Sequence, residues 1–315
     1  MFISPSRLKA AGIVGMNQRN ANFVMRYNKR RYYPLVDDKL KTKSLAQEKG
    51  IAVPELYGVV EVPHQIKGLE KLVKNKPGFV MKPAHGAGGN GVMVIADQFG
   101  DGYVKSSGQI IVGSTLVHHA QNILSGMYSL GGLPDKAMIE YLVQFDPLLE
   151  SVSYQGVPDI RVIVFLGVPI AAMVRLPTRA SDGKANLHQG AVGVGIDIAT
   201  GVTGNGVINN QLVDTHPDTR NNLSGIHIPH WPQILELAAN CADLCHLGYL
   251  GVDIVLDGNL GPLVLELNAR PGLNVQLANG FGLEKRLDIL EKRQKDIPSS
   301  AEHRAQMAIE TFSAA

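Results

Sequence analysis

The stretch Gly251–Leu273, GVDIVLDGNLGPLVLELNARPGL, reads as two strands, GVDIVLD and PLVLELN, joined by a short turn from Asp257 to Gly261. Each run is apolar except at a few internal positions: Asp253 in the first, Glu266 and Asn268 in the second. Side chains alternate along a strand, so Glu266 and Asn268 share a face while Leu263, Leu265 and Leu267 anchor the strand from behind. An antiparallel hairpin brings Asp253 onto the same wall. Three hard oxygen donors on one wall suit Mg²⁺, which keeps some waters and also meets substrate phosphates. The plain alternative is a row of polar positions facing solvent on a half-exposed sheet.

The rest of the chain narrows the class of molecule. Its 315 residues are 45% hydrophobic and 18% charged, the balance of a globular protein with room for two domains or one large composite one. Net charge is only +2, so no general attraction to nucleic acid is expected. Basic residues crowd Arg26–Lys43, and such runs are mostly solvated surface. No apolar run is long enough to span a membrane, and the first residues lack the apolar core of a signal peptide, so the expected compartment is the cytoplasm. Cys241 and Cys245 sit four apart on a helical stripe and read as core residues.

Along the chain, helical and extended patterns mix without the regular alternation of a dinucleotide-binding sheet, which predicts an α+β fold. Asp38–Lys49 reads as a helix stopped by Gly50, and WPQILELAANCADLCHLG as a helix with an apolar stripe. DIRVIVFLGVPIAAMVRL, from Asp159, is a hairpin turned at Gly167. Residues after about 291 are polar and read as a surface helix or a frayed tail.

Two further segments carry chemistry. In GFVMKPAHGAGGNGVMVI, Lys82 lies inside an apolar strand, followed by glycines at 86, 88, 89 and 91. Backbone N–H groups of such a loop cradle phosphate oxygens while the lysine supplies the opposite charge. The lysine precedes the glycines and a strand follows them, so this is not a P-loop; a flexible turn is the competing reading. NLHQGAVG, Asn186–Gly193, sets polar donors beside glycines after Arg175, Arg179 and Lys184. It fits an anion or substrate site, or simply a loop.

Taken in order, Lys39 in DDKLKTK, Lys82 in its glycine-rich hairpin, IEYL at Ile139–Leu142, DIRVIV, NLHQGA, GVDIV and LELNARPG resemble the ATP-grasp superfamily. Within it the chain looks most like the alpha-L-glutamate ligases that act on ribosomal protein, and the likeness runs from about Asp37 to Leu290. The resemblance implies an ATP-grasp fold: residues 1–36 a short basic segment, 37–139 the small lobe, 140–290 the large lobe with the metal site, 291–315 a tail. MgATP is expected in the cleft between the lobes, with Mn²⁺ an alternative to Mg²⁺. Lys39, Lys82, Gly88 and Gly89 match phosphate contacts; Glu140, Tyr141 and Leu142 match the hinge at adenine; Asp159 and Lys184, Ala185 and Asn186 match further nucleotide contacts. Asp253, Glu266 and Asn268 match the metal ligands, and Arg161 and Arg175 match residues that steady transferred phosphate or a substrate carboxylate.

The activity so implied is ATP-dependent joining of a carboxylate to an amine through an acyl phosphate, with an amino acid such as glutamate added to a peptide or amine. A phosphotransferase and a non-catalytic ATP-binding partner subunit are the alternatives. Two departures from the pattern stand out. Only about 36 residues precede Asp37, which implies that the usual N-terminal domain is largely missing and leaves room for a partner protein or a second subunit in its place. Arg270 stands where those ligases carry a small residue, and is read here as a contact for a substrate carboxylate.

Overall fold

The computed structural model describes residues 4–86, 88–100 and 102–313. Ala87 of the glycine loop and residues 1–3 and 314–315 of the two end segments lie outside them. The chain divides into two compact units, the smaller made of Asp38–Leu40 and Val53–Gln144 and the larger of the remainder.

The smaller unit is built on an antiparallel sheet of β1 (Leu56–Val60), β2 (Phe79–Pro83), β3 (Met93–Phe99), β4 (Gly102–Lys105), β5 (Ile110–Val112) and β6 (Ala137–Tyr141), in the order β1-β6-β2-β3-β4-β5. Helix α1 (Gly113–Leu124) places Leu116, Ala120 and Ile123 on one stripe, and they join Phe79, Met81, Ile95 and Ile139 in the core. Phe79 and Met81 point into that core, so the period of two sends Val80 and Lys82 to the opposite face. Glu140 lies across from Val80 and therefore shares the face of Lys82. The expected lobe boundary after residue 139 falls inside β6, because Tyr141 still pairs with Phe79.

The larger unit contains a second antiparallel sheet, of β7 (Asp159–Phe165), β8 (Val168–Leu176), β9 (Val192–Ile196), β10 (Thr203–Ile208), β11 (Gln211–Val213), β12 (Tyr249–Asp257) and β13 (Gly261–Asn268). The order is β11-β10-β9-β8-β7-β12-β13. Leu166 and Gly167 both have positive φ at the β7–β8 turn, the left-handed pair that matches the twist of a two-residue hairpin. Helix α2 (Trp231–Cys245) packs on this sheet with Ile234, Leu235, Ala238, Cys241 and Cys245 buried. Burial raises both thiols, Cys245 to about 12, and they serve the core. Helices α3 (Asn274–Asn279) and α4 (Glu284–Lys292) follow β13.

Both end segments are more deeply integrated than their polar composition implies. The expected tail carries α5 (Ala301–Phe312), which packs on α2 and β8 through Ala305, Met307, Ala308 and Phe312. Arg304 is itself buried, donating to the carbonyls of Gly167, Ser299 and Ala239 and to Asp243. A tally of polar residues misses this, since one guanidinium can satisfy many acceptors. The early basic segment is helical over Met16–Gln18, Arg19–Val24 and Met25–Tyr27, its middle stretch π-type, with Arg19, Phe23 and Val24 buried in the larger unit.

Candidate active site

Register assembles the site on the larger sheet. Arg175 of β8 lies opposite Asp159 of β7, Arg161 of β7 opposite Asp253 of β12, and Asp253 opposite Glu266 of β13. Arg161 forks onto Asp253, with Nε 2.7 Å from Oδ1 and Nη2 2.5 Å from Oδ2. Arg175 forks onto Asp159 at 2.5 and 2.6 Å, and its Nη2 reaches Asp253 Oδ2 at 2.9 Å. All four side chains are nearly buried, and two positive charges balance two negative ones.

The two carboxylates are driven apart in acidity. Burial opposes ionisation of Asp253, but the guanidiniums of Arg161 and Arg175 outweigh it and hold this carboxyl low. Burial prevails at Asp159, aided by the Asp253 charge against the pull of Arg175, and this carboxyl is pushed up. Arg175 is held more firmly protonated by the pair, against its own burial.

The strand carrying Glu266 departs from simple alternation. Asp253 pairs with Glu266 but Ile254 pairs with Val264, so Leu265 is an extra residue in β13, a β-bulge. The bulge moves Leu263 to the face of Asp253, Glu266 and Asn268, and it is Val264 and Leu267 that anchor the strand from behind. Asn268 lies opposite Gly251, and a side chain at Gly251 would strike Pro271 Cβ at 2.6 Å. The glycine thus lets the Arg270–Gly272 loop fold back beside Asn268.

Asp253, Glu266 and Asn268 fit a hard divalent cation in donor type: two carboxylates and an amide oxygen on one face. Asp253 meets donors from Arg161, Arg175 and Asn268 Nδ2, the last at 3.3 Å, so it serves a cation only by giving up a guanidinium contact. Among the described residues no cluster of three or more His, Cys, Asp or Glu side chains is set to hold a metal.

In the smaller unit, Lys82 forms a buried ion pair with Glu140. Lys39, at the start of the helix Lys39–Glu48, donates from Nζ to the Gly86 carbonyl at 2.5 Å. Gly88 and Gly89 have φ of +67° and +78°, which turns successive N–H groups of the loop. At the expected hinge, Glu140 is committed to Lys82, Tyr141 N–H donates to the Glu55 carbonyl at 2.8 Å, and the Leu142 carbonyl accepts from Gln144 at 3.1 Å.

Lys184, Ala185 and Asn186 lie in a loop of the larger unit, where Asn186 caps the short turn Leu187–Gln189 by accepting from His188 N–H at 3.0 Å. Beside it opens a hollow of about 400 Å³ lined by Leu187, His188, Val207, Asn209, Asn274 and Leu277, with no Asp, Glu, Lys or Arg among its lining. Arg270 is exposed, and its guanidinium sits 5.0 Å over the ring of Tyr33.

Several residues gave no signal in the sequence. Asn28 is buried and bridges the Tyr249 and Ala269 carbonyls at 2.7 and 2.9 Å, while accepting from Tyr249 N–H at 2.9 Å. Arg19 donates to the Pro271 carbonyl at 2.8 Å. Both hold the strand and loop that flank the acidic wall. Asp135, in an unremarked Pro-Asp-Lys segment, gathers the base of the glycine loop. The π-type turn at Arg19–Val24, a feature frequent near functional sites, has no sequence signature.

Two antiparallel sheets with flanking helices, a lysine-and-glycine loop in one unit and an acidic wall in the other, define an α+β protein of the ATP-grasp class. Residues 18–292 match the sugar-transfer associated ATP-grasp family, and the chain belongs to it. Among curated relatives, the probable alpha-L-glutamate ligase of Legionella pneumophila (strain Corby) is 26% identical over 269 residues, covering 85% of this chain and 66% of the relative. That of Shewanella loihica is 28% identical over 262 residues, covering 82% and 64%. The chain thus spans just under two thirds of the length of these relatives. A D-alanine–D-alanine ligase from Bacillus anthracis complexed with ATP superposes with a TM-score of 0.47 at 15% identity, over 84% of this chain and 70% of that one. No helix among the described residues is long and apolar enough to cross a membrane.

Proposed function

We propose that this chain is an ATP-dependent ligase that joins a carboxylate to an amine, an amino acid such as glutamate being one partner and a peptide or amine the other. The observation that carries the reading is the acidic wall: Asp253 facing Glu266 across β12 and β13, with Asn268 one step on, beside Arg161 and Arg175. Membership of the ATP-grasp family and the ligase names of its relatives support it.

In this reading Asp253, Glu266 and Asn268 hold Mg²⁺, or Mn²⁺ in its place. The ion, when bound, offsets charge on the ATP phosphates. Lys39 and Lys82 bind phosphate oxygens together with N–H groups of the loop at Gly88 and Gly89. Arg161 and Arg175 exchange part of their hold on Asp253 for the transferred phosphoryl group or the substrate carboxylate, a swap of one anion for another. The substrate carboxylate attacks the γ-phosphorus, ADP leaves, and the amine then displaces phosphate from the acyl phosphate to give the amide. No side-chain nucleophile is required. Tyr141 and Leu142 meet adenine, while Asp159 and the Lys184–Asn186 loop complete the nucleotide contacts. Arg270 receives a second carboxylate, and the hollow at His188 and Asn274 takes part of the acceptor.

The test is ADP release by the purified chain with MgATP, across amino acids and peptides, with products weighed by mass spectrometry. Release that needs both a carboxylate and an amine, yields an amide and is lost in Glu266→Gln upholds the ligase. A phosphorylated acceptor without an amide would replace it with a phosphotransferase. MgATP binding without turnover would replace it with a nucleotide-binding subunit.

A further inference from the structure

We propose that His85 is a phosphate-binding residue of the glycine loop, and that Asp135 is the positioning residue that holds its ring for that task. The inference rests on the reading of this loop as the cradle for ATP phosphates.

The geometry lies wholly within the smaller unit. His85 follows β2 immediately before Gly86. Its backbone N–H lies 3.2 and 3.0 Å from the two oxygens of Asp135, and its Nδ1 lies 2.8 Å from Oδ1. Asp135 also accepts from Ser129 Oγ at 2.6 Å and from Lys136 N–H at 2.7 Å. Its side chain has no exposure at all. Burial works against its ionisation, but the bonds from Ser129, His85 and Lys136 outweigh burial and hold this carboxyl low.

An ionised carboxylate only accepts, so the proton between the two groups sits on His85 Nδ1. With Nδ1 held by Asp135, Nε2 faces away from that carboxylate. The His85 side chain is 44% exposed, and Nε2 lies 3.6 Å from Asp38 Oδ2. The next residue, Lys39, places its ammonium on the Gly86 carbonyl, and Lys39 N–H donates to the Ala84 carbonyl at 3.2 Å. His85 and the Gly86 carbonyl that holds the Lys39 ammonium are thus neighbours in the chain just beyond the end of β2. Carrying its second proton, the ring donates from Nε2 to a phosphate oxygen, a charge-assisted bond. A carboxylate buried behind a half-exposed imidazole fixes the ring's orientation, as hydrogen-bonded carboxylates do for other functional histidines. Asp135 pins the backbone of the same residue, so the loop starts from one fixed direction.

The experiment is calorimetric titration of the full chain with MgATP. Wild-type protein that does not bind MgATP removes the ligase reading and this inference with it. Given wild-type binding, His85→Ala is expected to weaken it about 10-fold. Asp135→Asn is expected to weaken it by a similar factor, and the double variant to bind no worse than His85→Ala alone. Nitrogen chemical shifts of His85 should report an Nδ1–H ring in the wild type and lose that signature in Asp135→Asn. The inference falls if His85→Ala binds MgATP like the wild type. The role of Asp135 falls if Asp135→Asn weakens binding further in the His85→Ala background. His85→Ala decides the matter by itself should the Asp135 variant fail to fold, since the His85 ring is open to solvent on one side.

Discussion

Lys82 and Glu140 form an ion pair almost sealed from solvent, made by residues that lie diagonally across β2 and β6. Removing one partner strands a charge in the sheet. Glu140→Ala is expected to cost about 3–5 kcal/mol in chemical denaturation. Lys82→Met combined with Glu140→Leu should recover most of that loss. A double variant no more stable than the single one would show that the pair is not what holds these strands.

The acidic wall should show two opposite responses to pH. Asp253 is held low, so its contribution to stability is present above the ordinary carboxylate range and lost as pH falls through its native value. Asp159 is pushed up, so its contribution is present below that range and lost as pH rises through its native value. Asp159→Asn should therefore flatten the decline in melting temperature from about pH 4 upward. An unchanged slope there would mean that the Asp159 carboxyl is ionised throughout.

Asn28→Ala leaves two carbonyls and one N–H without their buried partner and is expected to cost about 2 kcal/mol. The loss should be local first. Hydrogen exchange at the Tyr249 amide, which donates to Asn28, should speed up before exchange in β8 does. Uniform acceleration across the sheet would place the effect elsewhere.

Arg270→Ala removes an exposed group stacked on Tyr33, so its effect on stability should stay within about 1 kcal/mol. If Arg270 receives a substrate carboxylate, KM for that substrate should rise while ATP binding is unchanged. Unaltered substrate dependence would remove Arg270 from the site.

What the sequence discloses and what it hides follow from separation along the chain. The β12–β13 pair is legible because alternation and turn lie within one short stretch, and so is the β7–β8 hairpin with its turn at Gly167. The bulge at Leu265 is not, since Leu, Val and Leu in succession fit either face equally well. Lys82 stands out as a charge in an apolar strand, yet its partner is 58 positions away, and nothing local links the two. Arg161 and Asp253 are 92 residues apart and meet only through the pairing of β7 with β12. Asp135 is silent for another reason: an acidic residue after a proline reads as an ordinary turn, and its burial is set by the glycine loop that it gathers. The early segment misleads through its charge, because its tyrosines, Phe23 and Val24 carry the packing while its arginines dominate the composition.

The bonds from Arg19 to Pro271 and from Asn28 to Ala269 tie residues 252 and 241 positions apart. Contacts of that span cannot form until Ala269 and Pro271 have themselves been made. During synthesis the helical segment Met16–Tyr27 leaves the ribosome before Phe165 of β7 and Tyr249 of β12, the rings against which Phe23 packs. Its apolar stripe, Phe23 and Val24, is meanwhile open to any other partner. The loop beyond Asn268 is thus closed only after Pro271 emerges, and truncation before Tyr249 should remove both Asn28 partners and the Phe23–Tyr249 stack that dock this segment.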